Sequence, residues 1–202
     1  MVDYRGSGYD RGHLAPAAIF KHNKKAMSES FFMSNMSPQS SKLNRGKWKD
    51  LEATVRDWAF REKELFVVTG PILRNGLPTI GENRVSVPEF YYKAILDLSG
   101  EKKAVGYIMP NKKPTESIEY YAVTIDSIEA VTGIDFFSQL PDSIENKIEQ
   151  SFTLSDWPIS APKIYKHQNK SGSSVQCKGT TKKGKRCKSK TRDSSGFCRW
   201  HK

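Results

Sequence analysis

The last forty residues of the chain differ in kind from everything before them, and that limits what the chain can fold into. Residues 163–202 hold 13 of the 33 Lys and Arg residues, a single acid, Asp193, and all three cysteines, Cys177, Cys187 and Cys198. The 162 residues before them are near neutral and contain no cysteine. This split predicts two units: a body long enough to bury a core of its own, and a small cationic segment that is not. Composition turns polar over KHQNKSGSS, residues 166–174, which places a linker there. The reading is a body over 1–163, a linker over 164–174 and a basic module over 175–202. The tail therefore carries +12 and the body −1, which together give the net charge of +11. A cationic tail on a neutral body points to a polyanionic partner, with nucleic acid the default. No apolar run approaches the roughly 18 residues of a membrane span, so no membrane partner is expected. The start, MVDYRGSGYDRGH, has no apolar core of a secretory signal. Secreted, periplasmic and cytoplasmic placements all fit.

Along the body, strand and helix patterns mix without regular alternation, which predicts an α+β fold. Tyr9–Ala15 reads as a short strand leaving the Gly6–Gly8 turn. Phe31–Met33 reads as a second, ending near Asn35 and closed by Pro38. From Asn44 to Glu64, Trp48, Leu51, Val55 and Trp58 recur at spacings of three and four, which predicts one amphipathic helix. Strands are expected at Glu64–Thr69, stopped by Gly70-Pro71, and at Glu89–Leu98, Ala104–Met109 and Tyr121–Ile125. Short helices are expected over Asp126–Thr132, ended by Gly133, and over Pro141–Phe152.

The first two strands and the long helix bring polar residues together. His13 ends the first strand, Asn35 the second, and Asn44 opens the helix. At about 100° per residue, Asn44 and Glu52 stand roughly 80° apart on that helix, near enough to serve one site. These residue types suit phosphodiester hydrolysis. A neutral imidazole can take a proton from water near pH 7. Positive charge from Arg11, Arg56 or a hard cation can stabilise the developing negative oxygens. Mg²⁺ accepts few protein oxygens and keeps several waters, so a single Asn carbonyl can hold it beside substrate phosphate.

Three blocks occur in order: DRGHLAPA from Asp10, SNMSPQ from Ser34 to Gln39, and LNRGKWKDLE from Leu43 to Glu52. Together they resemble the DNA/RNA non-specific endonucleases, a family with the ββα-metal fold and a central, mainly antiparallel sheet. The likeness continues through VVTGPIL, VPEFYYKAIL and YIMPN and covers roughly residues 3–150. It implies a metal-dependent enzyme that cleaves DNA and RNA without sequence preference and leaves 5′-phosphate ends. Carried over by position, it implies His13 as general base, Asn44 as the Mg²⁺ ligand and Glu52 as the acid that orders metal-bound water. It places Asn35 and Gln39 in the lining of the site, with Arg11, Gln39 and Arg56 contacting or supporting the substrate phosphate. It also allows a homodimer. Family members carry a substantial segment before DRGH, whereas nine residues precede Asp10 here. The resemblance therefore implies an N-terminally truncated domain with an open sheet edge.

In the tail, Cys177, Cys187, Cys198 and His201 follow C-x9-C-x10-C-x2-H. Three thiolates and an imidazole are a tetrahedral Zn²⁺ set. A metal would explain how so short a segment folds. The pattern resembles a small bacterial C-terminal module, C-x-G-x-T-x-K-G-x-x-C followed by an aromatic and C-x-x-H. The rival to the nuclease is a catalytically impaired nucleic-acid-binding protein that acts through this basic zinc module.

Overall fold

The computed structural model describes residues 2–159, 174–181, 184–191, 193–198 and 201. The chain divides into two compact units, Met1–Pro162 and Lys163–Lys202. The expected linker, apart from Ser174, lies outside the described residues.

In the first unit, strand β1 (Tyr9–His13) pairs antiparallel with β2 (Met36–Ser40), joining His13 to Met36 and Asp10 to Gln39. Between them lies a six-residue helix, α1 (Lys24–Glu29), whose N-cap Asn23 accepts the amides of Lys25 and Ala26. The second strand therefore follows Asn35 rather than preceding it. Met33–Asn35 is a turn of 3₁₀ helix, and Pro38 lies inside the strand instead of closing it. Phe31 and Phe32, the apolar pair that suggested a strand, are more than half exposed. β2 has one neighbour, so a proline without an N–H is tolerated within it.

The expected single helix from Asn44 to Glu64 is two helices. α2 (Ser41–Asn44) is capped by Ser40 Oγ, which accepts the Leu43 amide, and α3 runs over Lys47–Glu62. Gly46 separates them. A Cβ there would stand 2.5 Å from the Lys42 carbonyl oxygen, so only glycine lets the chain turn this closely.

The central sheet has four antiparallel strands in the order β3-β6-β7-β8: β3 (Phe66–Pro71), β6 (Phe90–Asp97), β7 (Lys103–Pro110) and β8 (Ala122–Val123), while β4 (Thr79–Ile80) and β5 (Val85–Ser86) form a small ladder of their own. Gly70 and Pro71 fall inside β3 rather than stopping it; a side chain at Gly70 would meet the Tyr92 ring. The expected strand at Tyr121–Ile125 shrinks to two residues, because Thr124 caps helix α4 (Ile125–Thr132) with its hydroxyl. Gly133 ends α4 at φ 69°, a left-handed position that glycine takes without strain. Helix α5 (Asp142–Glu149) is shorter than expected at both ends.

Both faces of the sheet are covered, which explains the continuous apolar run of β6. Tyr91 and Ile95, with Val105, Tyr107 and Met109, meet Trp48, Leu51, Val55 and Trp58 of α3. Tyr92, Ala94 and Leu96 meet Ile125 and Ile128 of α4 and Ile148 of α5. Burying residues of this size stabilises by about 1.5–3 kcal/mol each. The edge strand β3 leaves Phe66, Val67 and Val68 partly exposed. Among the described residues, no helix is long and apolar enough to cross a membrane.

The second unit contains a short antiparallel ladder, β9 (Val175–Gln176) with β10 (Lys190–Thr191), and an apolar centre made of the three cysteines and Phe197.

Candidate active site

β1 carries the site. Asp10 is its hub: the carboxylate accepts from Ser41 Oγ at 3.1 Å, from Asn44 Nδ2 at 3.0 Å, and from Arg45 Nε and Nη2 at 2.8 and 2.7 Å. The Arg45 guanidinium, with Asn44 and Ser41, holds the Asp10 carboxyl below the usual carboxylate range. The two-pronged contact locks α2 to β1. It also fixes the Asn44 amide: the nitrogen is committed to Asp10, which leaves the carbonyl oxygen available, and the residue lines a cavity of about 550 Å³. Arg11, Arg45, Asp10 and Tyr9 line that cavity with it.

His13 stands at the far end of β1, half-buried, with its ring 4.7 Å from that of Phe31 and nearly perpendicular to it. Nε2 is buried and has no hydrogen-bond partner. Burial, aided by the charge of Arg11, holds the imidazole below its ordinary value. The ring is therefore neutral at pH 7, with a lone pair to use.

A second cavity, about 360 Å³, opens beyond His13, where Leu14 and Ala15 meet α3 and β3. Glu52, Arg56, Lys93 and Asn35 supply its polar lining. Burial pushes the Glu52 carboxyl up, and Lys93 and Arg56 oppose it. Arg56 Nη1 is buried without a partner. Lys93 is 1% exposed; its ammonium donates to Thr69 Oγ1 and stands 5.0 Å over the Trp48 ring. Burial holds its pKa down at about 8, with Glu52 acting in the opposite sense. One carboxylate facing two cations leaves an excess of positive charge, which suits a phosphate oxygen.

The structure thus distributes the expected residues. Asn44 and Arg11 line one cavity, Glu52, Arg56 and Asn35 the other, and His13 lies on the strand that runs from the first to the second. Asn44 and Glu52 do not share a helix; the break at Gly46 puts Asn44 at the end of α2. Asn35 offers no amide hydrogen to a substrate. It donates to the carbonyls of Ala15 and Ser30 and accepts the Ala15 amide, at 2.8–2.9 Å, pinning the backbone that follows His13. Gln39 is corrected more strongly. It is 0% exposed, and its amide lies beneath Gly12, where any side chain would overlap it. The glycine of DRGH serves that close packing rather than flexibility. Arg45 and Lys93 were missed. Lys93 left a signal: a lone lysine within the apolar run FYYKAIL implies a buried charge with partners.

The residues at Asn44 fit Mg²⁺. Among the described residues, no group of three His, Cys, Asp or Glu ligands gathers there. A cation would be held by one carboxamide oxygen and water, which is how Mg²⁺ prefers to bind. In the second unit, Cys177, Cys187, Cys198 and His201 place one ligand atom each within 4.8 Å of the others. Cys187 Sγ is 3.9 Å from Cys198 Sγ, and His201 Nδ1 is 3.4 and 3.3 Å from Cys177 and Cys198 Sγ. Tetrahedral bonds to Zn²⁺ at usual lengths separate two sulfurs by roughly 3.8 Å, and sulfur from nitrogen by about 3.6 Å. Nε2 of His201 stands 3.0 Å from the Thr180 carbonyl, a contact that orients a ligating imidazole. Burial opposes a charged Cys177, but the amides of Cys198 and Gly179 outweigh it and draw the thiol below its ordinary value.

The sequence matches the DNA/RNA non-specific endonuclease family over residues 1–143. It is 37% identical over 152 residues to the mitochondrial endonuclease G of Bos taurus, covering 67% of this chain and 50% of that protein. It is 34% identical over 157 residues to a nuclease of a Nostoc species, covering 72% and 57%. Among solved structures it is similar to a crystal structure of an EndoG/EndoGI complex, with TM-score 0.65 and 36% identity, covering 69% of this chain and 63% of that one. The chain thus spans about half the length of the curated relatives it matches.

Proposed function

Since this chain belongs to the DNA/RNA non-specific endonuclease family, we propose that it is a nuclease that hydrolyses phosphodiester bonds of DNA and RNA without sequence preference. The carrying observation is His13: a half-buried imidazole kept neutral, on the strand that runs between two cavities lined by cationic side chains. His13 takes the proton of the attacking water on its unprotonated ring nitrogen. Arg11 and Arg56 hold phosphate oxygens from the two cavities. Glu52 accepts hydrogen bonds from water at the site. Asn35 holds the chain after His13 in place, and Gln39 supports β1 from below. The Asn44 carbonyl oxygen, with water, would hold Mg²⁺, which when bound would supply positive charge near the phosphate oxygens. Attack in line with the 3′ oxygen leaves a 5′-phosphate.

The second unit holds Zn²⁺ through Cys177, Cys187, Cys198 and His201, on this reading, and presents its lysines and arginines to nucleic-acid phosphates. The test is end-group analysis of DNA and RNA oligonucleotides cut by the full chain in Mg²⁺. Both should be cut at many positions, and the products should accept ligation without a kinase step. Cleavage of one nucleic acid alone, or products carrying 5′-hydroxyl ends, would contradict the reading.

A further inference from the structure

α4 and α5 carry an acidic cluster remote in sequence from the β1 cavities. One carboxylate oxygen each from Asp126, Glu129 and Glu149 lie within 4.8 Å of one another. Like charges this close repel, so the arrangement needs a counter-charge. Among the described residues, no Lys or Arg forms an ion pair with these three acids or with neighbouring Glu145. Glu149 is 5% exposed, and its Oε1 is buried with no hydrogen-bond partner. Glu145 Oε1, one turn earlier on α5, is also buried and unpartnered. Glu129 spends one oxygen on the Phe136 amide at 2.7 Å. A buried carboxylate aimed at two others, with no donor, must be satisfied by a cation or by a shared proton.

We propose that Asp126, Glu129 and Glu149 form a Ca²⁺ site that clamps α4 to α5. Carboxylate oxygens are hard ligands, which excludes a thiophilic metal. Ligand number favours the larger hard cation. Ca²⁺ takes several protein carboxylates in a flexible shell, whereas Mg²⁺ keeps most of its waters and is held by one or two carboxylates. Asp126 is exposed, so the ion has an entry path and room to keep water. The site joins the two helices that cover one face of the sheet through Ile125, Ile128 and Ile148. Its expected consequence is stability of that layer. The inference does not depend on the nuclease reading.

The experiment is thermal unfolding of the full chain against CaCl₂ in metal-depleted buffer, with E149Q, D126N and N44A. Wild type and N44A, which lacks the proposed Mg²⁺ ligand, should unfold at higher temperature as Ca²⁺ rises. E149Q should lose the shift. D126N, altered at an exposed residue that can be changed without disturbing the core, should need at least tenfold more Ca²⁺ for the same shift. An equal shift in wild type, E149Q and D126N would put the ion elsewhere and overturn the site. So would no shift in wild type; stability that then falls with rising alkalinity in wild type but not in E149Q would assign the cluster to a shared proton.

Discussion

Burial and the Arg11 guanidinium both disfavour a protonated His13, and the sign of that effect fixes a pH profile. A base must be neutral, and the folded value lies below 6.5, so kcat/KM should be full at pH 7 and fall on acidification through an inflection below 6.5. Arg11→Gln removes a charge that lowers the imidazole, so its inflection should move up in pH while the plateau drops. An inflection that stays put in a pH–rate comparison would detach Arg11 from His13. At Asp10, the prediction concerns the metal. Asp10→Ala frees the Asn44 amide and the Arg45 guanidinium, and the Mg²⁺ concentration for half-maximal cleavage should rise by about 10–100-fold. Asp10 could be singled out in the sequence as the acid of the DRGH block. Its partner Arg45 could not, because nothing in LNRGKW tells an exposed arginine from one gripped by a carboxylate 35 positions earlier.

Elements were legible where burial imposes a period and obscure where a single contact decides. The Trp48, Leu51, Val55, Trp58 stripe marked α3, and three of those side chains are at most 1% exposed. The start of the helix was lost to Gly46, whose role depends on the Lys42 carbonyl rather than on neighbours in sequence. β2 was displaced because FFM carries the apolar signal while MSPQS carries the pairing; Ser37, Pro38 and Gln39 are the buried residues. The packing of Gly12 on Gln39 can be tested directly. Gly12→Ala forces a methyl into a filled space and should destabilise by about 1–3 kcal/mol in urea unfolding. Adding Gln39→Ala should restore part of that loss. Strict additivity of the two changes would show that they do not touch in the folded state.

On the scale of the whole molecule, composition alone separated a neutral body from a cationic, cysteine-bearing tail. The sequence could not say how the cysteines gather, since gaps of nine and ten residues imply no geometry until the chain between them folds. If the second unit grips phosphates, removing residues 171–202 should raise KM at moderate salt, leave turnover nearly intact and flatten the fall of affinity with salt. An unchanged salt slope would leave the unit without that role. Metal analysis should find one Zn²⁺ per full chain, lost in Cys187→Ser.

The central claim is that this chain cuts phosphodiester bonds with His13 as base and a cation at Asn44. Its most direct test is the conversion of supercoiled plasmid to nicked and linear forms by the 202-residue protein, with Mg²⁺, with EDTA, and with His13→Ala in Mg²⁺. Nicking that needs Mg²⁺ and falls by several orders of magnitude in the folded variant is the predicted result. Cleavage that survives EDTA, or a His13→Ala protein that cuts as fast as wild type, would contradict it.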